Sequence, residues 1–278
     1  MKKSLNIQGR ILDLSHPVVM GILNITPDSF FEGSRFMDNE SLFLEKAAEM
    51  VRAGAGILDI GGYSTRPGAK EVSATEEKAR VVPAVRLLKA RFPDLLVSVD
   101  TFRADVAEAC IKEGADIIND VSGGDLDERM FDVISENKVP YILMHMRGKP
   151  SEMQNHIQYN NFLTEVCREL QYKVSRLYKM GVSDLIIDPG FGFSKTLDQN
   201  YSLLKHLRLF EIFDLPVLAG LSRKSMIYRF FNSAPEESLN ATTALNMFAL
   251  TQGASILRVH DVAEARQTAD LFVKLSNS

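Results

Sequence analysis

Polar side chains able to bind a ligand recur at one kind of position in this chain, at the end of short apolar segments. Asp100, Asn119 and Asp188 each stand at such an end. Carboxylate and amide groups pair well with the adjacent donors of guanidine-like groups. These three residues therefore predict a binding site for an amino-substituted heterocycle.

A second set of residues is suited to binding an anion. Arg258 and His260 are two positions apart, so their side chains project to the same side of a strand. Lys224 adds a cation with three hydrogen-bond donors. Asn24 offers a neutral oxygen suited to a hydrated Mg²⁺ that phosphates bridge. Together these residues predict a phosphate-binding rim beside the heterocycle, with Mg²⁺ as the cofactor.

These side chains must be positioned by the apolar segments that precede them. The segments are unbroken runs rich in Val, Ile and Leu, which is typical of strands buried on both faces. The predicted strands are Val18–Leu23, Ile57–Ile60, Leu95–Val99, Asp116–Ile118, Tyr141–Met144, Leu185–Ile187, Val217–Ala219 and Ser255–Val259. They alternate with eight amphipathic stretches, among them Leu203–Phe210 and Leu239–Gln252. Strict alternation of this kind predicts an α/β fold, a single (β/α)8 TIM barrel.

An open doubly wound sheet is the competing architecture. It would more often carry a Gly-rich phosphate turn, and this chain contains neither GxGxxG nor GxxxxGK[ST]. Ahead of the first strand, Leu5–Leu14 surrounds Gly9 and Arg10 with alternating apolar residues. This pattern predicts a short N-terminal β-hairpin, within residues 1–15, that closes the bottom of the barrel. We expect residues 1–278 to form one domain.

Composition narrows the class of protein further. The 278 residues are 45% hydrophobic and 24% charged, and 32 basic against 36 acidic residues give a net charge of −4. A nucleic-acid partner is not expected, because no basic excess is present. A membrane span is not expected either, since no apolar run approaches about 18 residues. Cys110 and Cys167 lie far apart without a CxxC motif, which is typical of buried thiols in a reducing cytoplasm.

Several other polar residues have simpler explanations. We interpret Asp59 as a loop cap that braces the Gly-rich segment after the second strand, and Asp120 as structural. For His145, a satisfied histidine in the barrel wall and a functional histidine are both open. Ser222 and Arg223 are compatible with a helix N-cap and a surface charge. The sequence lacks HExxH, GxSxG and any His/Cys cluster, which argues against a zinc enzyme or a hydrolase of the nucleophile-elbow type.

The polar strand ends belong to a longer set of motifs. In chain order these are GILNITPDSF (21–30), DIGGYSTRPG (59–68), SVDT (98–101), INDVSG (118–123), MHMRG (144–148), DPGFGF (188–193), SRKS (222–225) and RVH (258–260). In these motifs the chain resembles the dihydropteroate synthase family over essentially its whole length. The resemblance implies a TIM barrel that joins 6-hydroxymethyl-7,8-dihydropterin pyrophosphate to p-aminobenzoate, giving 7,8-dihydropteroate and pyrophosphate.

The resemblance also implies roles for single residues. Those implied to bind the pterin are Asp100, Asn119, Met144, Asp188, Lys224 and Arg258. Those implied to bind pyrophosphate are Asn24, Arg258 and His260, with Mg²⁺ at Asn24. Those implied to bind p-aminobenzoate are Phe30, Thr65, Arg66, Pro67, Phe193 and Ser222. Those implied to be catalytic are Asp100, Asp188, Lys224, Arg258 and His260. A homodimer and competition by sulfonamides are implied as well.

The chain departs from the family pattern at two positions, and three other functions remain open. Family members often carry Glu where this chain has Tyr63, and Gly where it has Ser194. The alternatives are a pterin-binding module of a methyltransferase, a non-catalytic pterin binder, and a Schiff-base aldolase that uses Lys224. The Arg258 and His260 pair favours the synthase, because a methyltransferase module needs no pyrophosphate site.

Overall fold

The chain begins with a small hairpin that lies outside the main sheet. A computed structural model describes residues 3–25, 40–63 and 72–278. Strands β1 (Ser4–Ile7) and β2 (Arg10–Asp13) pair antiparallel. The two turn residues between them, Gln8 and Gly9, both have positive φ, the conformation that suits a tight two-residue turn between strands. The predicted N-terminal hairpin is confirmed.

Eight parallel strands form the barrel. They are β3 (Val18–Asn24), β4 (Ile57–Gly61), β5 (Leu96–Asp100), β6 (Ile117–Asp120), β7 (Tyr141–Met144), β8 (Leu185–Asp188), β9 (Leu218–Ala219) and β10 (Ile256–Val259). Their order is β8-β7-β6-β5-β4-β3-β10-β9. A parallel bridge between Ile187 and Val217, just before β9, brings the two edges together. The predicted barrel is confirmed, and each strand lies within two residues of its predicted bounds.

Helices follow the strands around the outside of the barrel. The α-helices of the described ranges are α1 (Glu40–Arg52), α2 (Ala74–Arg91), α3 (Ala104–Lys112), α4 (Met130–Asn137), α5 (Phe162–Lys179), α6 (Leu197–Lys205), α7 (Ser225–Phe231), α8 (Leu239–Thr251) and α9 (Val262–Ser276). The predicted helix Leu203–Phe210 is wrong. A capping box between Thr196 and Gln199 starts α6 earlier, and a 3₁₀ helix, Leu207–Phe213, follows it. After β9 two helices stand where one is predicted.

The hairpin closes one end of the barrel. Leu5, Ile7 and Leu14 are buried and pack with one inward residue from every barrel strand. Those strand residues are Met20, Ile57, Leu96, Ile117, Ile142, Ile186, Leu218 and Ile256. This apolar layer seals the amino-terminal ends of the strands. Ligand access is therefore confined to the opposite end, where the strands finish.

Cys110 and Cys167 lie in α3 and α5, and both are free thiols. Cys110 is buried and Cys167 is half-buried, so the prediction of a buried thiol is confirmed only for Cys110. Burial raises the pKa of the Cys110 thiol to about 12, which makes it unreactive. Among the helices of residues 3–25, 40–63 and 72–278, none has the length and apolar character needed to cross a membrane.

Candidate active site

Four of the predicted site residues lie above the apolar seal, on the inner face of the barrel. Side chains two positions apart on a strand face the same side. Asn119, Asp188 and Arg258 each stand two residues after a strand residue of the seal, and Asp100 stands four residues after one. Strand periodicity therefore carries these polar groups inward, toward the open mouth. Asp100 and Asn119 are direct partners in the β5–β6 register.

Arg258 reaches across the mouth to two carboxylates. Its Nε donates to Asp59 at 2.6 Å and its Nη2 donates to Asp100 at 2.7 Å. Asn119 donates to the same Asp59 oxygen at 3.0 Å. Burial raises the pKa of Asp100 to about 7, with Arg258 opposing the rise and Asp59 adding to it. The four side chains form one polar network, in which Asp59 and Asn119 are buried and Asp100 and Arg258 are half-buried.

The loop-cap interpretation of Asp59 stays a prediction, since residues 64–71 of the loop lie outside the described ranges. The structure gives Asp59 contacts with other strands, because its carboxylate is buried inside β4 and accepts from Asn119 and Arg258. Its Oδ1 has no hydrogen-bond partner within the part of the chain that the structure describes. A signal was present in the sequence, since Asp59 stands two residues after Ile57 on the inner face of an apolar strand.

A second polar group surrounds the loop after β8. Asp188 accepts a hydrogen bond from the Gly190 N–H at 2.8 Å, and burial raises the pKa of its carboxyl. Lys224 donates to the Phe191 carbonyl oxygen, and its Nζ lies 4.7 Å from the ring centroid of Phe193. Burial lowers the pKa of Lys224 to about 8. The structure thus brings together Asp188, Lys224 and Phe193, as expected from the sequence.

Ser222 and His260 form a pair at the rim. The Ser222 hydroxyl lies 3.0 Å from His260 Nδ1 and accepts from the His260 N–H at 3.2 Å. Ser222 is not a helix N-cap, because Lys224 occupies that position in α7. Arg223 is half-buried and pairs with Asp261 at 2.5 Å, so it is more than a surface charge. The pair joins the end of β10 to the loop after β9.

The remaining predicted site residues divide into two groups. Met144 is buried and packs with the half-buried Phe193. Asn24 is half-buried at the end of β3, beside Gly61 in the register. Four residues lie outside the described ranges, namely Phe30, Thr65, Arg66 and Pro67. Their assignment to p-aminobenzoate therefore stays a prediction.

Lys195 is a residue of the site region that the sequence analysis missed. It is buried, and its Nζ contacts His145 Nδ1 at 3.1 Å. His145 Nε2 in turn lies 3.0 Å from Glu169 Oε2, so His145 belongs to a polar network behind the mouth. Burial is the main cause that lowers the pKa of His145 to about 4. A lysine after a Gly-rich segment offers no sequence signal for burial.

The lowered pKa of His145 predicts a loss of stability in mild acid. The unfolded chain takes up a proton near pH 6.5 and the folded chain near pH 4, so the contribution present above pH 6.5 falls as the pH decreases. Between pH 7 and pH 5 the loss amounts to about 2 kcal/mol. The raised pKa of Asp100 acts in the opposite direction. Urea unfolding of His145→Gln beside the wild type isolates the histidine, and parallel pH profiles would contradict the assignment.

The two departures from the family pattern have structural consequences. Ser194 adopts a φ of +48°, in the left-handed region that glycine favours. Its hydroxyl donates to the Arg147 carbonyl at 2.6 Å and accepts from the Arg147 N–H at 3.0 Å. Tyr63 packs edge-on against Phe102, with ring centroids 5.2 Å apart. Ser194 thus links the loop after β8 to the loop after β7.

Substitution of Ser194 tests these opposing effects. Ser194→Ala keeps the unfavourable φ and loses both hydrogen bonds, so we expect a loss of about 1–3 kcal/mol in the free energy of unfolding. Ser194→Gly loses the same bonds but removes the backbone strain, so its loss is smaller. Chemical denaturation measures both variants. Equal losses in the two variants would show that the left-handed backbone carries no cost.

The fold and the site define the class to which the chain belongs. Residues 20–260 match the family described as "Pterin binding enzyme". Dihydropteroate synthase of Escherichia coli K12 is 46% identical over 262 residues, which are 92% of this chain and 91% of the relative. The chain therefore belongs to the dihydropteroate synthase family of pterin-binding enzymes.

Solved structures agree with this assignment. The crystal structure of Yersinia pestis dihydropteroate synthase with a sulfonamide drug is 42% identical, with a TM-score of 0.91, and the match covers 99% of this chain and 100% of that one. Xanthomonas albilineans dihydropteroate synthase with 4-aminobenzoic acid is 37% identical, with a TM-score of 0.91 and full coverage of both chains. These neighbours share the barrel over its entire extent.

Proposed function

We propose that this transferase condenses 6-hydroxymethyl-7,8-dihydropterin pyrophosphate with p-aminobenzoate, releasing pyrophosphate and giving 7,8-dihydropteroate. One observation carries the proposal. The buried carboxylate of Asp188 and the half-buried carboxylate of Asp100 face a mouth that also holds the cations Arg258 and Lys224. Carboxylates suit the amino-substituted pterin ring, and cations suit a diphosphate.

The floor of the mouth recognises the pterin in this proposal. Its amino group and adjacent ring N–H form a donor pair that Asp188 accepts, while Asn119 and Lys224 complete the ring contacts. Burial raises the pKa of Asp100 and of Asp188, and donors from the pterin stabilise the ionised forms. The incoming ring competes with Arg258 for Asp100, which frees one face of the guanidinium to stack on the ring.

Pyrophosphate departs before the amine attacks. The C–O bond breaks with its electron pair going to the pyrophosphate, and the resulting cation is spread over the electron-rich pterin. Asp100 and Asp188 stabilise that cation, while Arg258 and His260 stabilise the departing charge. The p-aminobenzoate nitrogen then forms the new C–N bond and loses a proton. Phe193 and Ser222 form the described part of the p-aminobenzoate side.

Mg²⁺ is the proposed cofactor, with Asn24 as its protein ligand. Within residues 3–25, 40–63 and 72–278, no three His, Cys, Asp or Glu side chains cluster as metal ligands. A single amide oxygen at the rim fits Mg²⁺, because this ion keeps several waters and binds largely through substrate phosphates. When bound, the ion would neutralise charge on the pyrophosphate.

Product mass spectrometry tests the reaction. Purified protein is incubated with dihydropterin pyrophosphate, p-aminobenzoate and Mg²⁺, and each component is omitted in turn. We expect dihydropteroate from the complete mixture only, and competition when a sulfonamide replaces part of the p-aminobenzoate. No product, with pterin still bound in calorimetry, would favour a methyltransferase-like module or a non-catalytic pterin binder. Borohydride trapping of Lys224 with a carbonyl substrate would favour an aldolase.

We also propose a homodimer of single-domain chains in a reducing cytoplasm. Phe230 and Phe231 on α7 are 58% and 60% exposed, and their rings touch edge to face with centroids 5.0 Å apart. Exposed adjacent aromatic rings are typical of a contact surface. The free thiols of Cys110 and Cys167 suit a reducing compartment. Light scattering tests the dimer, since a mass of 31.0 kDa in solution would contradict it.

A further inference from the structure

Lys195 is a buried lysine that none of the proposed steps uses. It closes the loop that joins β8 to α6, and only 3% of its surface is exposed. A buried ammonium group is costly unless its donors are satisfied. The groups that accept hydrogen bonds from Lys195 therefore indicate its role.

All three donors of the Lys195 ammonium have acceptors. Its Nζ donates to the carbonyl oxygens of Gly190 and Phe193, at 2.9 Å each, and lies 3.1 Å from His145 Nδ1. The His145 carbonyl oxygen, at 3.4 Å, is a longer fourth contact. Burial lowers the pKa of Lys195 to about 7, so below that pH the group is an ammonium, which only donates, and His145 Nδ1 must accept. The imidazole proton then sits on Nε2 and is donated to Glu169 at 3.0 Å.

The loop after β8 has little freedom to adopt another path. Gly190 has a φ of +75°, and a Cβ at this position would lie 2.0 Å from the His145 carbonyl oxygen. Asn200 accepts from the Gly192 N–H at 2.6 Å. Lys195 holds the carbonyls on either side of this segment, those of Gly190 and Phe193. The lysine therefore determines where the segment that carries Phe193 is anchored.

A second lysine holds the same loop from the mouth. Lys224 donates to the Phe191 carbonyl oxygen, between the two carbonyls that Lys195 holds. The proposed reaction assigns Lys224 to the pterin, so this anchor is shared with substrate once the site is filled. Lys195 has no donor left for a substrate. Lys224 therefore binds substrate in the proposed reaction, whereas Lys195 only holds the loop after β8.

We propose that Lys195 is a positioning residue for the p-aminobenzoate half of the reaction, holding the loop after β8 so that Phe193 keeps its place beside Lys224. This inference rests on the proposed function. Since Lys195 acts through Phe193, its removal affects the KM for p-aminobenzoate. The pterin contacts of Asp100 and Asn119 lie on β5 and β6, away from this loop, while Asp188 keeps its contact with the Gly190 N–H at the start of the loop. Pterin affinity therefore falls less than the affinity for p-aminobenzoate.

Steady-state kinetics of Lys195→Met test the proposal. We expect the KM for p-aminobenzoate to rise about tenfold, because the loop loses all three Lys195 hydrogen bonds and Phe193 is no longer held in place. The dissociation constant of dihydropterin pyrophosphate stays within about threefold. Lys195→Gln keeps two donors, so its KM for p-aminobenzoate lies between the values of the wild type and Lys195→Met.

Lys173 is the matched control, because its Nζ donates to Ser122 and Asp125 in a different loop of the same mouth. Lys173→Met leaves both constants within about twofold.

The outcomes separate this proposal from a merely structural role and from the proposed function. An unchanged KM for p-aminobenzoate, or an equal loss of pterin affinity, overturns the positioning role. If neither variant folds, ¹⁵N NMR of the five histidines in the wild type tests the same contact at about pH 5.5, between the pKa of His145 at about 4 and that of Lys195 at about 7. An unprotonated Nδ1 on His145 supports the contact, and a protonated one overturns it. Absence of dihydropteroate from the wild type contradicts the proposed function, while the NMR test still applies.

Discussion

Arg258→Ala is expected to lose at least about 100-fold in kcat/KM for dihydropterin pyrophosphate. Removal of one preorganised group that stabilises developing charge costs 10²–10³-fold in typical enzymes. In the proposed reaction Arg258 faces both the pterin ring and the departing pyrophosphate. Steady-state assays with each substrate varied in turn measure the loss.

The same substitution is expected to weaken the fold. Arg258 pairs with Asp59 and Asp100, and its removal leaves the buried carboxylate of Asp59 and the half-buried carboxylate of Asp100 without this ion-pair partner. Breaking a buried ion pair from one side costs about 3–5 kcal/mol. Adding Asp59→Asn to Arg258→Ala removes one of the orphaned charges. We expect the double variant to recover stability without recovering turnover.

A matched control separates the loss of this arginine from the loss of any arginine. Arg266 on α9 forms an exposed i,i+4 pair with Asp270. Such pairs contribute well under about 1 kcal/mol. Arg266→Ala should therefore keep both turnover and stability near those of the wild type. Turnover of Arg258→Ala within a few-fold of this control would contradict the site assignment.

Asp188→Asn is expected to lose about 100-fold or more in kcat/KM while the protein stays folded. Asparagine keeps an oxygen that accepts from the Gly190 N–H. It loses the negative charge that stabilises the pterin cation and pairs with the pterin donors. Burial raises the pKa of the Asp188 carboxyl, so neutralising it removes an unfavourable desolvation. Stability therefore changes far less than catalysis.

Asp184 provides the control for this substitution. It stands just before β8, at the sealed end of the barrel, where its carboxylate accepts from the Asn6 N–H at 3.0 Å. Asp184→Asn changes the same functional group at the opposite end of the same strand. We expect it to leave kcat/KM within about threefold, since it lies far from the mouth. Calorimetric titration with the pterin substrate shows whether the Asp188→Asn loss lies in binding. Near-normal turnover of Asp188→Asn would remove that residue from the site.

The pattern of apolar residues along the chain is sufficient to predict most of the fold. The eight apolar segments predicted eight strands because unbroken Val, Ile and Leu runs are stable only when both faces are buried. Helix boundaries were less predictable around residue 200. There the Thr196 and Gln199 side chains start the helix through hydrogen bonds, and the apolar pattern of Leu203–Phe210 continues into a 3₁₀ helix. The capping hydrogen bonds, and not the apolar periodicity, therefore determine where α6 begins.

Side-chain contacts between residues far apart in the chain could not be predicted from the sequence. Arg258 and Asp59 are separated by 199 positions, and their contact depends on closure of the barrel. Asp59 was consequently interpreted as a loop cap. Lys195 was missed for a related reason, because its burial depends on His145 from the loop after β7 and on Glu169 from α5. Neither relationship leaves a periodic signal along the chain.

The residue types and their spacing were sufficient for the architecture and for the inward direction of the polar groups. A strand period of two determines which side chains face inward once the strands are known, and this holds for Asn119, Asp188 and Arg258 alike. Pairing within the mouth required the folded barrel. Which carboxylate meets Arg258, and which carbonyls meet Lys195, depends on distances across the closed barrel, and desolvation there shifts the pKa values that govern the chemistry.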